Sequence, residues 1–195
     1  MTALSPHRDP EISRLSLPLV VLHQPWIRIH RCARWPLHFG KSGEQRFDDP
    51  GRSFGVLYVA TDIRGAFVET FLRNRTDRHV SLAAFEEREV SEILFPEALR
   101  LVDLTAHGLS RLGADARLTS GDYTVSQKWA LALYQHREQP DGILYCSRHD
   151  LACRCVAVFD RDRAGVSCSS LGSLLERRHR ALLAQLLDLY DVRLI

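Results

Sequence analysis

Two short apolar segments, Trp26 to His30 and Gly55 to Ala60, are separated by residues 31 to 54, a stretch punctuated by Pro36, Gly40, Gly43, Pro50 and Gly51. The first segment reads Trp, Ile, Arg, Ile, His. That is the period of a half-buried strand, with Arg28 and His30 on one face and Ile27 and Ile29 on the other. The proline- and glycine-rich stretch between the segments reads as a long loop with little regular structure. Strands alternate irregularly with helices and two strand pairs follow one another without a crossover helix between them, so a regular doubly wound sheet is disfavoured and an α+β domain fits better. Loops of this length inside compact domains are usually functional or disordered, and this one carries Arg46 and Phe47.

The remaining elements follow from period and punctuation. Thr61 is placed as the N-cap of a helix from Asp62 to about Arg73, with Glu69 on the inner side beside Ala66, Phe67, Thr70 and Phe71. Strands are expected at His79 to Ala84 and Leu99 to Leu104, with the charged stretch Glu86 to Glu92 between them as a solvated loop or short helix. Val125 to Arg137 reads as an amphipathic helix carrying Trp129, Leu133 and Tyr134. After the turn Pro140-Asp141-Gly142, a strand from Ile143 to Cys146 delivers Ser147 and Arg148, and another runs from Cys155 to Phe159. Ser173 and Glu176 have the spacing of a capping box ahead of leucines 174, 175, 182, 183, 186 and 187, which predicts a helix from Ser173 to about Tyr190.

At 195 residues the chain suits one domain, and 45% apolar with 26% charged residues is the composition of a globular protein. Lysine plus arginine exceed aspartate plus glutamate by only 26 to 24, so the overall balance gives no reason to expect direct nucleic-acid binding. Five cysteines, an odd and irregularly spaced set, point to a reducing cytoplasm rather than a disulfide framework. Residues 1 to about 14 read as a mobile arm. The apolar run Leu15 to Leu22 is too short to span a bilayer and is broken by Ser16 and Pro18, so it reads as a leader packed on the domain. The division expected is an arm and leader over 1–25, a main domain over 26–160, and a C-terminal helix over 161–195 packed on the same domain.

Arg28, Arg46, Tyr58 and Glu69 suit a pocket for a phosphorylated, partly aromatic ligand. Arginine forks grip phosphate oxygens, a tyrosine ring offers a stacking face, and one carboxylate stabilises a positive charge developing in a transition state. Plainer readings compete. A strand arginine can carry its head to solvent, Tyr58 can be a core residue with its hydroxyl satisfied, and His30 can be structural. Arg31 and Phe47 could touch ligand without being essential. Cys153 and Cys155 with His149 lack the spacing of a closed zinc site, and Cys146 has no base beside it in sequence. Gly40 and Gly43 match neither the dinucleotide fingerprint nor a Walker loop.

The phrases Arg28-Ile29-His30, Arg46-Phe47-Asp48, Leu57-Tyr58-Val59-Ala60, Ala66-Phe67-Val68-Glu69-Thr70-Phe71 and Asp141-Gly142-Ile143-Leu144-Tyr145-Cys146-Ser147-Arg148 stand in an order that resembles the RES-domain family over about residues 26 to 160. The resemblance implies a fold similar to ADP-ribosyltransferases, with short mixed and antiparallel strands around an NAD+ cleft and flanking helices. It implies a cytoplasmic toxin of a toxin–antitoxin pair that consumes NAD+ as substrate, by hydrolysis or phosphorolysis, without a metal. Glu69 would be the catalytic carboxylate, acting with Arg46 and Tyr58. Arg28, Arg46, Tyr58, Ser147, His30 and Arg31 would contact the dinucleotide. An Xre-like, DNA-binding antitoxin would occlude the site, and a homodimer is allowed. ADP-ribose transfer to a specific protein, or an inactive relative acting by assembly with a partner, are the alternatives.

Overall fold

The computed structural model describes residues 12–73, 78–161 and 164–195. Residues 1–11 of the expected arm lie outside these. Among the described residues the strands are β1 (Leu19–Leu22), β2 (Trp26–Arg31), β3 (Val56–Ala60), β4 (His79–Val80), β5 (Arg88–Leu94), β6 (Leu99–Asp103), β7 (Gly142–Cys146), β8 (Arg154–Phe159), β9 (Ser167–Gly172) and β10 (Arg193–Leu194). The helices are α1 (Ile63–Phe71), α2 (Leu82–Glu86), α3 (Ala106–Arg111), α4 (Arg117–Ser120), α5 (Tyr123–Tyr134) and α6 (Arg180–Leu189). Eight strands form one sheet in the order β1-β6-β7-β8-β3-β2-β5-β9, while β10 and β4 pair separately. Only β6 and β7 are parallel neighbours in the large sheet, which makes it a mixed sheet of the α+β kind.

One seam of this sheet is nearly unsewn. β2 makes six register pairs with β5 and β3 makes five with β8, yet β2 and β3 share the single pair Ile27↔Ala60. Beyond it the strands part. Val56 pairs instead with Gly40 of the long loop, through bonds of 3.0 and 2.9 Å. The loop is thus held inside the opened seam.

Alternation along the strands builds two apolar cores, one on each face. Val56, Tyr58 and Ala60 face the larger, where Ala66, Phe67 and Val68 of α1 and Trp129, Ala130 and Leu133 of α5 cover the sheet. Leu57 and Val59 face the smaller, with Trp26, Ile93, Leu101 and Val156, closed over by Leu37 and Phe39 of the loop. Burying each such large side chain contributes about 1.5–3 kcal/mol. Helix α1 starts where Asp62, in extended conformation, accepts a bond of 2.9 Å from Gly65 N. A side chain at Gly65 would bring a Cβ within 2.9 Å of Ala60 Cβ, so glycine is what lets the helix lie close to β3. That approach sets where Glu69 emerges.

Several expectations are corrected. The N-cap of α1 is Asp62 rather than Thr61. His79 to Ala84 is a two-residue strand followed by the start of a helix, because Ser81 accepts from Ala84 N and caps α2. Glu86 to Glu92 is mostly an interior strand: the charged residues of β5 mask its period, while Val90, Ser91 and Ile93 are buried. Leu19–Leu22 is an edge strand paired with β6. Half of the Ser173/Glu176 box forms, Ser173 N donating to Glu176 Oε1 at 3.0 Å, but Ser173 Oγ accepts from Leu175 N at 3.2 Å, Glu176 itself stays extended, and only a 3-10 turn and then α6 follow, from Arg180. After residue 160 the chain supplies the strand β9 as well as a helix.

The C-terminal end is tied to the turn after β7. Tyr190 donates to Asp150 Oδ2 at 2.7 Å, Cys153 Sγ lies 3.3 Å from the same oxygen, and Arg64 of α1 stands 3.4 Å away. The Tyr190 bond, with smaller help from Ala152 N, Cys153 and Arg64, holds the Asp150 carboxyl below its ordinary value, against the opposing effect of burial. A depressed carboxylate pKa contributes stability above the unfolded value near 3.8 and loses it as pH falls through the folded value. Asp150→Asn should therefore lower stability by about 1 kcal/mol at neutral pH, a difference that shrinks on acidification below about pH 4. Melting curves of both proteins between neutral and strongly acidic pH check this, and a gap independent of pH would refute it.

Candidate active site

The opened seam holds a cavity of about 680 Å3, within the span of about 300–1,000 Å3 usual for small-molecule sites. β2 lines it with Arg28, His30 and Arg31, the long loop with Gln45, Arg46 and Asp48, β3 with Tyr58, and α1 with Glu69. Among the described residues eight cationic side chains border it (Arg28, Arg31, Arg34, Lys41, Arg46, Arg73, Arg88 and Arg148) against three carboxylates (Glu44, Asp48 and Glu69). In a chain whose formal net charge is only +2, that concentration makes the cavity a site for an anion.

Arg46 is 7% exposed. Its Nη1 donates to Gly121 O at 3.0 Å and Ser126 Oγ at 3.2 Å, while Nη2 is buried without a hydrogen-bond partner among the described residues. Burial lowers its pKa; Tyr123, Tyr145 and Glu69 oppose that shift and Arg148 adds to it. Arg28 donates from Nη1 to the carbonyls of Pro36 and His38 at 3.0 and 3.2 Å, and burial with nearby Arg34 brings its pKa down to about 10, still charged at neutral pH. Glu69 is half-buried, and its charge is felt by Arg46, Tyr145 and Cys155. Among the described residues no side chain donates a hydrogen bond to its carboxylate. Arg73 reaches back from the end of α1, donating from Nε to Glu69 O at 2.6 Å and from Nη1 to Gln45 Oε1 at 3.0 Å.

The Tyr58 hydroxyl is committed. It accepts from Phe47 N at 2.9 Å and donates to Asp48 Oδ1 at 3.0 Å, and burial first and Asp48 second raise its pKa well above 10, so it stays neutral. Its ring packs on the larger core and borders the cavity, so the core reading and the ligand reading describe different parts of one side chain. His30 is 5% exposed and held by Ser91 Oγ at 2.9 Å and Arg31 O at 3.0 Å, although it lines the cavity. Arg31 lines it from an exposed position.

Two expected contacts fall elsewhere. Ser147 is fully buried and absent from the lining, its Oγ accepting from His149 N at 3.1 Å, which organises the turn rather than the ligand. Phe47 is equally buried and packs edge-on against Tyr145 with ring centroids 5.0 Å apart. Cys153 and Cys155 are core residues, and burial pushes the Cys146 thiol up, away from nucleophile behaviour. Conversely, Asp48, Gln127, Tyr123 and Tyr145 did not stand out in the sequence. Gln127 donates to the carbonyls of Gly43 and Gln45 at 2.8 and 3.0 Å and so holds the loop from α5. The only trace of this role in the sequence is a polar pair, Ser126-Gln127, on the buried face of a helix, where each group needs a partner.

A cationic cleft in a parted mixed sheet, walled by arginines and one half-buried carboxylate, defines the class. The sequence profile of the RES domain matches residues 25–181, and the chain belongs to the RES domain family. A relative described as "Probable toxin y4kH", from Sinorhizobium fredii, is 30% identical over 118 residues, 60% of this chain and 90% of that protein. Among solved structures, the crystal structure of the M. tuberculosis MbcT-MbcA toxin-antitoxin complex includes a chain with the same fold, with a TM-score of 0.62 at 17% identity over 87% of this chain and 92% of that one. Among the described residues no helix is long and apolar enough to cross a membrane.

Proposed function

We propose that the chain breaks the bond between nicotinamide and ribose in NAD+ and passes the ADP-ribose to water, acting as the toxin of a toxin–antitoxin pair. The observation that carries this reading is the presence of Glu69, Arg28, Arg46 and Tyr58 on the wall of one cationic cavity. NAD+ carries a diphosphate, matching the excess of guanidinium groups, and its reacting ribose carbon becomes positively charged as the bond breaks. The pair of electrons in that bond leaves with nicotinamide, which departs neutral. Glu69 then stabilises the oxocarbenium-like carbon, and water adds to it and loses a proton. Arg46 and Arg28 hold the anionic part, and the Tyr58 ring stacks against nicotinamide.

The toxin role is supported by the relative described as a probable toxin and by the fold shared with a chain of a toxin–antitoxin complex. A small protein partner that covers the cavity would restrain it. Incubation with NAD+ labelled on the adenylate side, with and without cell lysate, tests the reaction. Free ADP-ribose together with released nicotinamide is the expected result, a labelled protein band would instead favour transfer to a protein, and intact NAD+ over a wide enzyme range would end the proposal.

A further inference from the structure

Two guanidinium groups share one aromatic ring in the cavity wall. The Arg46 guanidinium lies 4.6 Å from the centroid of Tyr123, and that of Arg148 lies 5.8 Å from the same centroid. The three residues come from the long loop, the first position of α5 and the turn after β7, and all three line the cavity. Like charges brought together repel, and the π-face of the ring offsets part of that repulsion by attracting each cation. The compensation is incomplete. Burial and Arg148 both act against the charge on Arg46, and Arg46 Nη2 is left buried and without an acceptor. A polar atom in that condition needs a partner. Arg28 is placed differently, with its Nη1 already shared between two backbone carbonyls.

We propose that Arg46, Tyr123 and Arg148 form the diphosphate pole of the cavity, Tyr123 setting the spacing at which the two guanidinium groups grip the linked phosphates of a nucleoside diphosphate–ribose. A dianion seated there accepts from Arg46 Nη2 and relieves the repulsion in one step. The linked phosphates in this picture sit mainly on the α5 side of the cavity, and Arg28, on the β2 side with Nη1 already shared between two carbonyls, gives the anion a second, weaker contact from across it. The inference rests on the NAD+ reading for the identity of the ligand, but the site stands on geometry and can be probed without turnover.

The test is calorimetric titration of the full chain and of Arg148→Gln, Tyr123→Leu and Tyr123→Phe with inorganic pyrophosphate, ADP-ribose and nicotinamide riboside, which has no diphosphate. Arg148→Gln and Tyr123→Leu should weaken pyrophosphate and ADP-ribose by about tenfold or more, while nicotinamide riboside changes by less than about twofold. Tyr123→Phe keeps the ring and should keep the affinity. Equal weakening of all three ligands, a phenylalanine variant as poor as the leucine variant, or no binding of pyrophosphate by the unaltered chain overturns the proposal. Loss of pyrophosphate binding in Arg148→Gln by a protein that never cleaves NAD+ would leave the diphosphate pole standing while the proposed function fails.

Discussion

Glu69→Gln is expected to leave the protein folded and able to bind ADP-ribose, while nicotinamide release from NAD+ falls by about 100- to 1,000-fold. That is the cost of removing one well-placed electrostatic stabiliser from a transition state. Glutamine keeps the length and hydrogen-bonding reach of the side chain and removes only the charge. The fold should tolerate the change, because among the described residues no side chain donates to the carboxylate and the neighbouring Arg73 bond goes to the backbone oxygen of Glu69. Nicotinamide release measured beside the melting temperature separates the two effects. Near-full turnover by the variant would remove Glu69 from the chemistry.

Asp48→Ala should have the largest effect on the loop that carries Arg46. Asp48 is 2% exposed, and its carboxylate accepts from Ser42 Oγ at 2.9 Å, Gln45 N at 3.2 Å and Tyr58 hydroxyl at 3.0 Å. One side chain thereby holds both the approach to Arg46 and the tyrosine of β3. Alanine removes three partly buried bonds to a charged acceptor, with an expected loss of about 2–4 kcal/mol in stability and a marked weakening of ligand binding, because Arg46 loses the fixed loop beneath it. Tyr58→Phe removes one of the three donors to Asp48 and the acceptor of Phe47 N, and should cost about 1–2 kcal/mol, less than Asp48→Ala. Urea denaturation of both variants, with ligand titration alongside, checks the ranking; equal losses would show that Asp48 does not organise the loop.

How much of this was legible in the chain varies with the kind of signal. Trp26 to Arg31, Val56 to Ala60 and Arg154 to Phe159 are strands whose apolar runs or alternation are local, and they lie where period and punctuation place them. The strand β5 was hidden because Arg88, Glu89 and Glu92 are charged for reasons outside the strand: Arg88 lines the cavity, and Glu89 Oε1 stands 3.6 Å from His30 Nε2. Ser173 and Glu176 make one half of the capping contact without a helix, since that contact fixes one turn and the chain beyond it answers to tertiary packing.

The candidate site divides the same way. Arg28, Arg46, Tyr58 and Glu69 are marked by chemistry unusual for their surroundings, a charge or hydroxyl among apolar neighbours, and all four border the cavity. Ser147 carried the same kind of mark and lies outside the lining, its hydroxyl taken by the turn it begins. Tyr123 and Gln127 carried no local mark, because their roles come from residues some 80 positions away in the chain.

The amino-acid order alone determined the class of fold, the strands β2, β3, β6, β7 and β8, the helices α1, α5 and α6 and the residue types of a cationic pocket, because periodicity, capping and burial of apolar side chains act between near neighbours. Only the tertiary structure decided that β2 and β3 part after one pair, that the long loop is clamped in the gap by Gly40 and Gln127, and that two arginines meet across Tyr123. Those outcomes depend on how distant segments compete for the same backbone partners and the same buried space, and no local pattern encodes the result of that competition.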